Sequence, residues 1–272
     1  MIVLDFSMES ALEDIQFLAN SENRILVLSA LTQEPASRRQ LQQDTGVPRS
    51  SVARVLNEAE TRKWVGSEGS KYWITPRGKA MITEIRRSIA ATEGVKHLGT
   101  AINWLPEPVY DLDFSYFNDA RITLPTQANP AAAFDRGLDR ISDANTYRGL
   151  TQNSLPQYMQ VIRDRVEAGS LEFEGVIEER FIEIIRNDPE RAETWSAVAD
   201  QMWVFEGHVP MNMHLVDDTA VIWLCEEDEE GNHVVPKGLL ETENPHVVSW
   251  AESFYEEYLD AARPLSFERL ET

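Results

Sequence analysis

The sequence predicts an α+β protein with three parts: an N-terminal helical domain that ends in a β-hairpin, a helical connector, and a C-terminal α/β domain. Two observations lead to this prediction. Residues 37–75 have the signals of a helix, a tight turn, a second helix and a hairpin, in that order. Beyond residue 120, short β-rich runs alternate with helical ones, which is typical of an α/β domain.

Two scaffold helices are predicted before residue 37. Apolar residues at helical spacing mark the first, and Ser21 is expected to cap the second. The second ends at Glu34-Pro35, because proline disfavours helical geometry in the residue before it. The apolar positions are Ala11, Leu12, Ile15, Leu18 and Ala19 in the first helix, and Ile25, Leu26, Leu28 and Leu31 in the second.

The next two helices are predicted to be joined by a sharp reversal. Ser37 and Gln40 have the spacing of a capping box, which starts the third helix. Gly46 permits the reversal, and Pro48 fits the first turn of the fourth helix, where no backbone N–H is required.

The fourth helix and the hairpin after it complete a winged helix-turn-helix. Val52, Val55, Leu56 and Ala59 recur at helical spacing, so one face is expected to dock on the core. Residues 64–67 and 71–75 then flank the connection Glu68-Gly69-Ser70, which predicts the hairpin known as the wing.

A long helix is predicted to connect the two domains and to dimerise. Thr75-Pro76 starts it, and Ile82, Ile85 and Ile89 form an apolar stripe. Gly94 and Gly99 are expected to interrupt it, and residues 103–110 are the best candidate for a domain boundary. The predicted domains are therefore 1–75 for the winged helix-turn-helix, 76–100 as connector, and 101–272 as the α/β domain.

The C-terminal half is predicted to contain strands at 121–124, 146–150, 171–177, 202–205, 211–216, 220–225 and 233–238. Helices are expected at 130–140, 156–167, 178–186 and 189–200. Asp217-Asp218 is a hairpin turn, and Asn244 caps a final helix to Ala262.

Charge is distributed unevenly along the 272 residues. The formal net charge is −21, yet the window 36–87 holds 11 basic and 5 acidic residues. A basic segment on an acidic chain is what contact with double-stranded DNA requires. Only five of the 25 basic residues are lysine, a balance that we interpret as adaptation of a halophilic archaeon to high internal salt.

The composition also excludes several classes of protein. No apolar run approaches the roughly 20 residues that span a bilayer, and the first residues are acidic, so a cytoplasmic protein is expected. The single cysteine, Cys225, excludes an intrachain disulfide and a multi-cysteine metal cage. We expect no cofactor and no metal.

The chain resembles archaeal winged-helix regulators of the TrmB-like and methanogenesis-regulator kind, whose C-terminal domain is related to half of a phospholipase D fold. The resemblance is carried by TGVPRSSVARVLNEAETRKWV, by the wing that ends in ITPRG, and by the run from TYRGLTQNS to MNMHLVDDTAVIWL. It implies that the second domain senses a small molecule or a partner.

Phospholipase D catalysis requires a His-x-Lys pair, and none of the five histidines has lysine two residues later. By this departure the second domain is predicted to be a sensor and the protein not an enzyme. Two alternatives stay open: an enzyme that uses a C-terminal pocket, and an adaptor whose winged helix docks on another protein.

The predicted DNA contacts lie on the fourth helix and around it. Arginine can bond guanine bidentately and asparagine can read adenine, whereas flanking cations can hold phosphates. The predicted contacts are Arg49, Ser50, Ser51, Arg54 and Asn57 for base edges, and Arg38, Arg39 and Lys71 for phosphates.

A candidate effector pocket is predicted from aromatic and histidine residues of the second half. The expected lining is Trp203, Phe205, His208, His214 and Trp223. The alternative, ordinary core and edge packing, is the commoner role of such residues.

Overall fold

The computed structural model describes residues 7–227 and 234–265. The chain divides into two compact units, Met1–Ala90 and Ala91–Thr272. Both units combine helices with a sheet, so the predicted α+β class is confirmed.

The first unit carries helices around a small antiparallel sheet of order β1-β3-β2. The two-residue strand β1 was not predicted, because so short a run has no periodicity; it pairs Ala36 with Tyr72 and Ser37 with Lys71. The elements are α1 (Ser7–Ala19), α2 (Glu22–Leu31), β1 (Ala36–Ser37), α3 (Arg38–Thr45), α4 (Arg49–Thr61), β2 (Val65–Glu68), β3 (Lys71–Ile74) and α5 (Pro76–Leu98), which continues into the second unit.

The turn chemistry of the helix-turn-helix is largely as predicted. The Ser37 hydroxyl accepts from the Gln40 N–H, and the Gln40 side chain accepts from the Ser37 N–H. Gly46 ends α3 with a φ of 70°, in the left-handed region that glycine tolerates. Pro48 differs from its predicted place: it precedes the helix with an extended ψ of 141°, and its carbonyl accepts the Val52 N–H.

The wing is a tighter hairpin than predicted. Glu68 pairs with Lys71, so only Gly69 and Ser70 form the turn, and Gly69 has a φ of 61°. Gly78 holds the start of α5 close to the wing, since a Cβ at this position would lie 2.2 Å from the Trp64 carbonyl oxygen.

The core of the first unit lies under α4, whose four predicted apolar residues are all buried. Phe17 of α1 packs edge-on against Trp64, with ring centroids 5.5 Å apart. The guanidinium groups of Arg24 and Arg62 lie 4.2 and 4.1 Å from the centroid of the Phe17 ring. These contacts join α1 to α2 and to the end of α4.

The connecting helix differs from its prediction at Gly94. The helix continues through this residue to Leu98, and a Cβ on Gly94 would lie 1.9 Å from the Phe114 carbonyl oxygen. The glycine therefore serves a close approach and does not break the helix. Gly99, with a φ of 54°, does follow its end. Residues 103–110 are not a linker, because Leu105 and Val109 are buried in the core of the second unit.

The second unit is built on a mixed sheet of order β11-β7-β6-β5-β8-β9-β10-β4. The pairs β5–β6 and β6–β7 are parallel, and the other pairs are antiparallel. The strands are β4 (Arg121–Thr123), β5 (Thr146–Thr151), β6 (Glu172–Glu178), β7 (Met202–Phe205), β8 (Met213–Val216), β9 (Thr219–Glu227), β10 (Val234–Thr242) and β11 (Arg263–Pro264). The helices are α6 (Ala132–Asp143), α7 (Pro156–Glu167), α8 (Glu179–Arg186), α9 (Pro189–Ser196) and α10 (Pro245–Ala261).

Each face of this sheet has its own core. One core is covered by α6 to α9, and the other by α10 together with the short 3-10 turns at Gly99–Trp104, Glu107–Asp111 and Phe114–Phe117. Because side chains alternate along a strand, successive residues of β5 and β7 belong to different cores. His233, predicted to start β10, lies outside the described residues.

Candidate functional site

The face of α4 opposite the core is exposed to solvent. Arg49, Ser50, Arg54 and Asn57 are all exposed, whereas Ser51 is half-buried. A helix presents residues at i, i+4 and i+7 on one side, so Ser50, Arg54 and Asn57 form one surface, and Arg49 lies next to it at the start of the helix. Ser51 lies at the margin of this surface and is less available for a base contact than predicted.

The arginines of the first unit fall into two groups by their partners. Arg24 pairs with Glu58 at 3.2 Å and Arg62 with Asp14 at 3.3 Å, so both are structural. By contrast, the four exposed cations of α3, α4 and β3 form no ion pair with any described residue: Arg39, Arg49, Arg54 and Lys71. Unpaired cations on one helix-turn-helix and its wing are the groups that phosphates and base edges attract.

Arg38 begins α3, as predicted, and contacts two other side chains of the first unit. It is half-buried, its guanidinium lies 5.3 Å from the centroid of the Tyr72 ring, and it donates to Asn57 Oδ1 at 3.4 Å. Arg38 thus orients Asn57 from the wing side.

One exposed side chain of the wing was missed by the sequence analysis. Trp73 on β3 is 38% exposed, and its indole covers Gly66, where a Cβ would lie 2.6 Å from the ring. An exposed tryptophan beside Lys71 was detectable from strand alternation, because Tyr72 takes the buried position between them.

The second unit contains a cavity of about 60 Å³ on the face of the sheet covered by α6 to α9. Its floor is formed by β5, β6 and β8, and its rim by the connection after β5, where Leu155 is 42% exposed. Most of its lining is apolar or aromatic, with a few polar groups: Tyr147, Thr151, Asn153, Ser154, Tyr158, Asn212 and His214. Among the described residues, no charged side chain is part of this lining.

The structure brings only two of the five predicted effector residues together. His214 and Trp223 line the cavity, and the indole Nε1–H donates to His214 Nε2 at 3.1 Å. Trp203 and Phe205 pack on the opposite face of the sheet, where Phe205 contacts Tyr258 of α10. These two residues cannot line the same cavity. Side chains alternate along β7, and it is Met202 and Val204 that lie on the face of the sheet covered by α6 to α9.

His208 is also separate from the cavity. Its ring is 53% exposed, and its Nδ1 lies 3.4 Å from Glu178 Oε2. Sequence proximity to Met211 and His214 was misleading here, because His208 lies in the connection between β7 and β8, whereas His214 lies in β8 itself.

His214 is held as a neutral imidazole. Its Nδ1 lies 2.7 Å from the Tyr147 hydroxyl, and the two rings stack with centroids 5.1 Å apart. Desolvation lowers the pKa of His214 to about 3. Burial likewise raises the pKa of Tyr147 and of Tyr158, so all three groups are uncharged near neutral pH.

Other sites considered from the sequence have less support. Cys225 is half-buried and packs against the core, as a small apolar residue does. In the described residues no group of three His, Cys, Asp or Glu side chains is placed to hold a metal ion. None of the described helices is both long and apolar enough to cross a membrane.

Comparison with known proteins identifies two domain families. Residues 12–95 match the HVO_A0261 N-terminal domain, and residues 130–261 match the middle domain of methanogenesis regulatory protein FilR1. These matches confirm the resemblance to methanogenesis-regulator-type proteins that the motifs predicted. No curated protein sequence matches the chain.

Among solved structures, the archaeal chromatin protein TrmBL2, described with a novel mode of DNA binding, is 12% identical; the match covers 90% of this chain and 94% of that chain with a TM-score of 0.40. Nuc, a phospholipase D family member from Salmonella typhimurium, is also 12% identical, with 53% of this chain and 97% of that chain covered and a TM-score of 0.40. At such TM-scores neither likeness bears on the function.

Proposed function

We propose that this protein, which joins an HVO_A0261-type N-terminal domain to a FilR1-type middle domain, is a sequence-specific DNA-binding transcription regulator. The observation that carries the proposal is the set of unpaired cations on α4, α3 and the wing. Arg54 and Asn57 would read base edges in the major groove, while Arg39 and Lys71 would hold phosphates on either side.

The division of labour follows the sequence-based domains. Residues 1–75 bind DNA, residues 76–100 pair two copies of the chain, and residues 101–272 sense a small molecule. In the sensor the ligand would occupy the cavity beside His214 and Trp223. A ligand that binds one arrangement of two copies more tightly than another shifts their populations.

Such a shift would act on DNA binding by changing the distance between the two recognition helices of a dimer. Two recognition helices must lie about 34 Å apart to enter successive major grooves of one duplex face. The proposal requires a homodimer, and sedimentation velocity tests it directly. A chain that stays monomeric both free and on DNA contradicts the spacing mechanism.

Footprinting across the protein's own promoter tests the main proposal. We expect protection of a site with two half-sites about one helical turn apart, and competition by specific but not by random duplex. Equal affinity for every duplex tested would contradict sequence-specific regulation.

A further inference from the structure

We propose that the cavity of the second unit binds an uncharged, largely apolar small molecule that presents a hydrogen-bond acceptor to the Tyr147 hydroxyl. The inference rests on the proposed sensor function and names the chemical class of its ligand. It is carried by the way the floor is built, by the hydrogen bonds around His214, and by the uncharged lining.

The floor of the cavity is opened by two glycines. Gly149 of β5 and Gly175 of β6 are direct partners in the parallel register, and both lie in the middle of buried strands. A Cβ on Gly175 would lie 2.6 Å from Met202 Sδ, and one on Gly149 would lie 2.9 Å from a ring carbon of Tyr147. Glycine weakens a strand interior and often marks a place where a ligand approaches the backbone.

The hydrogen bonds around His214 leave one donor to spare. The Trp223 indole can only donate, so His214 Nε2 accepts, and the neutral ring must carry its proton on Nδ1. That proton is donated to the Tyr147 oxygen at 2.7 Å. The Tyr147 hydroxyl hydrogen then has no acceptor in the described structure, although the side chain is only 5% exposed.

A buried donor without an acceptor is costly, so a ligand that supplies one gains specific affinity. The Tyr147 side chain lines the cavity, and its hydroxyl is the group that a carbonyl, an ether or a ring nitrogen would meet there. Strand β5, with the sequence TYRGLT, carries Tyr147 and also Gly149, which leaves space beside the Tyr147 ring.

The lining determines the rest of the ligand. Phe134, Tyr158 and Trp223 form an aromatic wall, with ring centroids 5.5 and 6.0 Å from Trp223. Because no described residue of the lining is charged, a charged ligand would lose its hydration without gaining a counter-charge from them. The cavity measures only about 60 Å³, so a larger ligand must extend past the rim at Leu155.

Three probes of similar size separate these requirements on the full chain. Acetophenone carries a carbonyl, ethylbenzene lacks an acceptor, and benzoate is charged. In tryptophan fluorescence titrations to millimolar concentrations, we expect acetophenone to bind most tightly, ethylbenzene roughly threefold to tenfold more weakly, and benzoate least. Tightest binding of benzoate, or binding of none of the three, overturns the proposal.

Two variants locate the site. Tyr147→Phe should weaken acetophenone by roughly threefold to tenfold and leave ethylbenzene unchanged, whereas Tyr110→Phe, outside the cavity, should change neither. Gly175→Ala should weaken both neutral probes, because the added carbon displaces the Met202 thioether into the space. If Tyr147→Phe binds acetophenone as tightly as the parent does, the proposed hydrogen bond from Tyr147 to the ligand is wrong, whether or not Gly175→Ala folds.

Promoter binding is measured in the same samples by gel shift. If the three probes bind as expected but the promoter is not bound, the proposed regulator function is contradicted and the proposed class of ligand is supported. Promoter binding with none of the expected probe selectivity contradicts the ligand class alone.

Discussion

At the scale of single residues, the arginines of the first unit differ by what surrounds them. Arg24 and Arg62 stack on Phe17 and pair with carboxylates, so they stabilise the fold. Arg54 lies one helical turn before Glu58 on α4, but it is exposed and forms no ion pair with a described residue. Removing a side chain of this second kind should affect binding and leave the fold intact.

We therefore expect Arg54→Ala to lower affinity for the specific DNA site by about 1–3 kcal/mol, the value of a bidentate base contact. Its melting temperature should stay close to that of the parent. Arg163→Ala, which removes the same charge from the second unit, is the control and should bind normally. Gel-shift titration and thermal unfolding measure the two effects, and unchanged DNA affinity would contradict the base-reading role.

His214 makes the stability of the second unit depend on pH. Desolvation lowers its folded-state pKa to about 3, whereas an unfolded histidine titrates near 6.5. Between these values the unfolded state binds more protons, so stability falls as the pH is lowered from about 6.5 toward 3. The limiting slope from one such group is about 1.4 kcal/mol per pH unit.

His214→Gln should remove this dependence. The variant is expected to be less stable at pH 7.5, because it disturbs the bonds to Tyr147 and Trp223. Its denaturation midpoint should nevertheless fall less between pH 6.5 and pH 5 than that of the parent. Urea unfolding at the two pH values checks this, and parallel losses in both proteins would show that His214 is not the titrating group.

At the scale of elements, α6 is fastened to β10 by one buried carboxylate. Glu241 is 2% exposed, and Arg136 donates to both of its oxygens at 2.8 Å while Arg140 donates at 2.6 Å. Burial alone would raise the pKa of Glu241, but the hydrogen bonds from Arg136 and Arg140 outweigh it and lower the pKa. The two arginines stand one helical turn apart, which is why one carboxylate can receive both.

Glu241→Gln should cost about 3–5 kcal/mol of unfolding free energy, because it leaves two partly buried guanidinium groups without their charge partner. Glu243→Gln changes the same group at an exposed position two residues later and should stay within about 0.5 kcal/mol of the parent. Chemical denaturation at neutral pH compares them. Equal stability of the two variants would show that the arginines are satisfied by solvent.

At the scale of the whole molecule, basic and acidic residues are segregated along the chain. The basic window 36–87 covers the helix-turn-helix, its wing and the first half of α5, while most acidic residues belong to the second unit. At molar salt the Debye length is about 3 Å, so only close contacts with phosphates keep their value. Replacing a residue that holds a phosphate should therefore change how strongly the affinity for DNA depends on salt concentration.

Lys71→Ala should weaken binding to specific and random duplexes alike. If Lys71 neutralises one phosphate, the slope of log affinity against log salt should decrease in magnitude by about 0.9. Arg163→Ala again serves as the control, and its slope should equal that of the parent. A slope unchanged by Lys71→Ala would remove this residue from the phosphate contacts, and Trp73 beside it would then be the wing residue to test.

By itself, the sequence determined most of the local structure, including the exposed face of α4 on which the proposed DNA contacts lie. Capping residues, glycine turns and helical spacing act within a few residues, so Ser37, Gly46 and the buried face of α4 could be predicted. The α/β alternation was predictable for the same reason. Gly94 was predicted wrongly, because its close contact with Phe114 lies 20 residues away along the chain.

Only the tertiary structure decided which residues share a site in the second unit. The sequence grouped His208, His214, Trp203, Phe205 and Trp223 by proximity, whereas strand alternation distributes them over two faces and an exposed connection. Gly149, Gly175 and His214 meet because β5 pairs with β6 on one side and with β8 on the other. Pairing between distant strands obeys the packing of the whole sheet, and no local pattern encodes it.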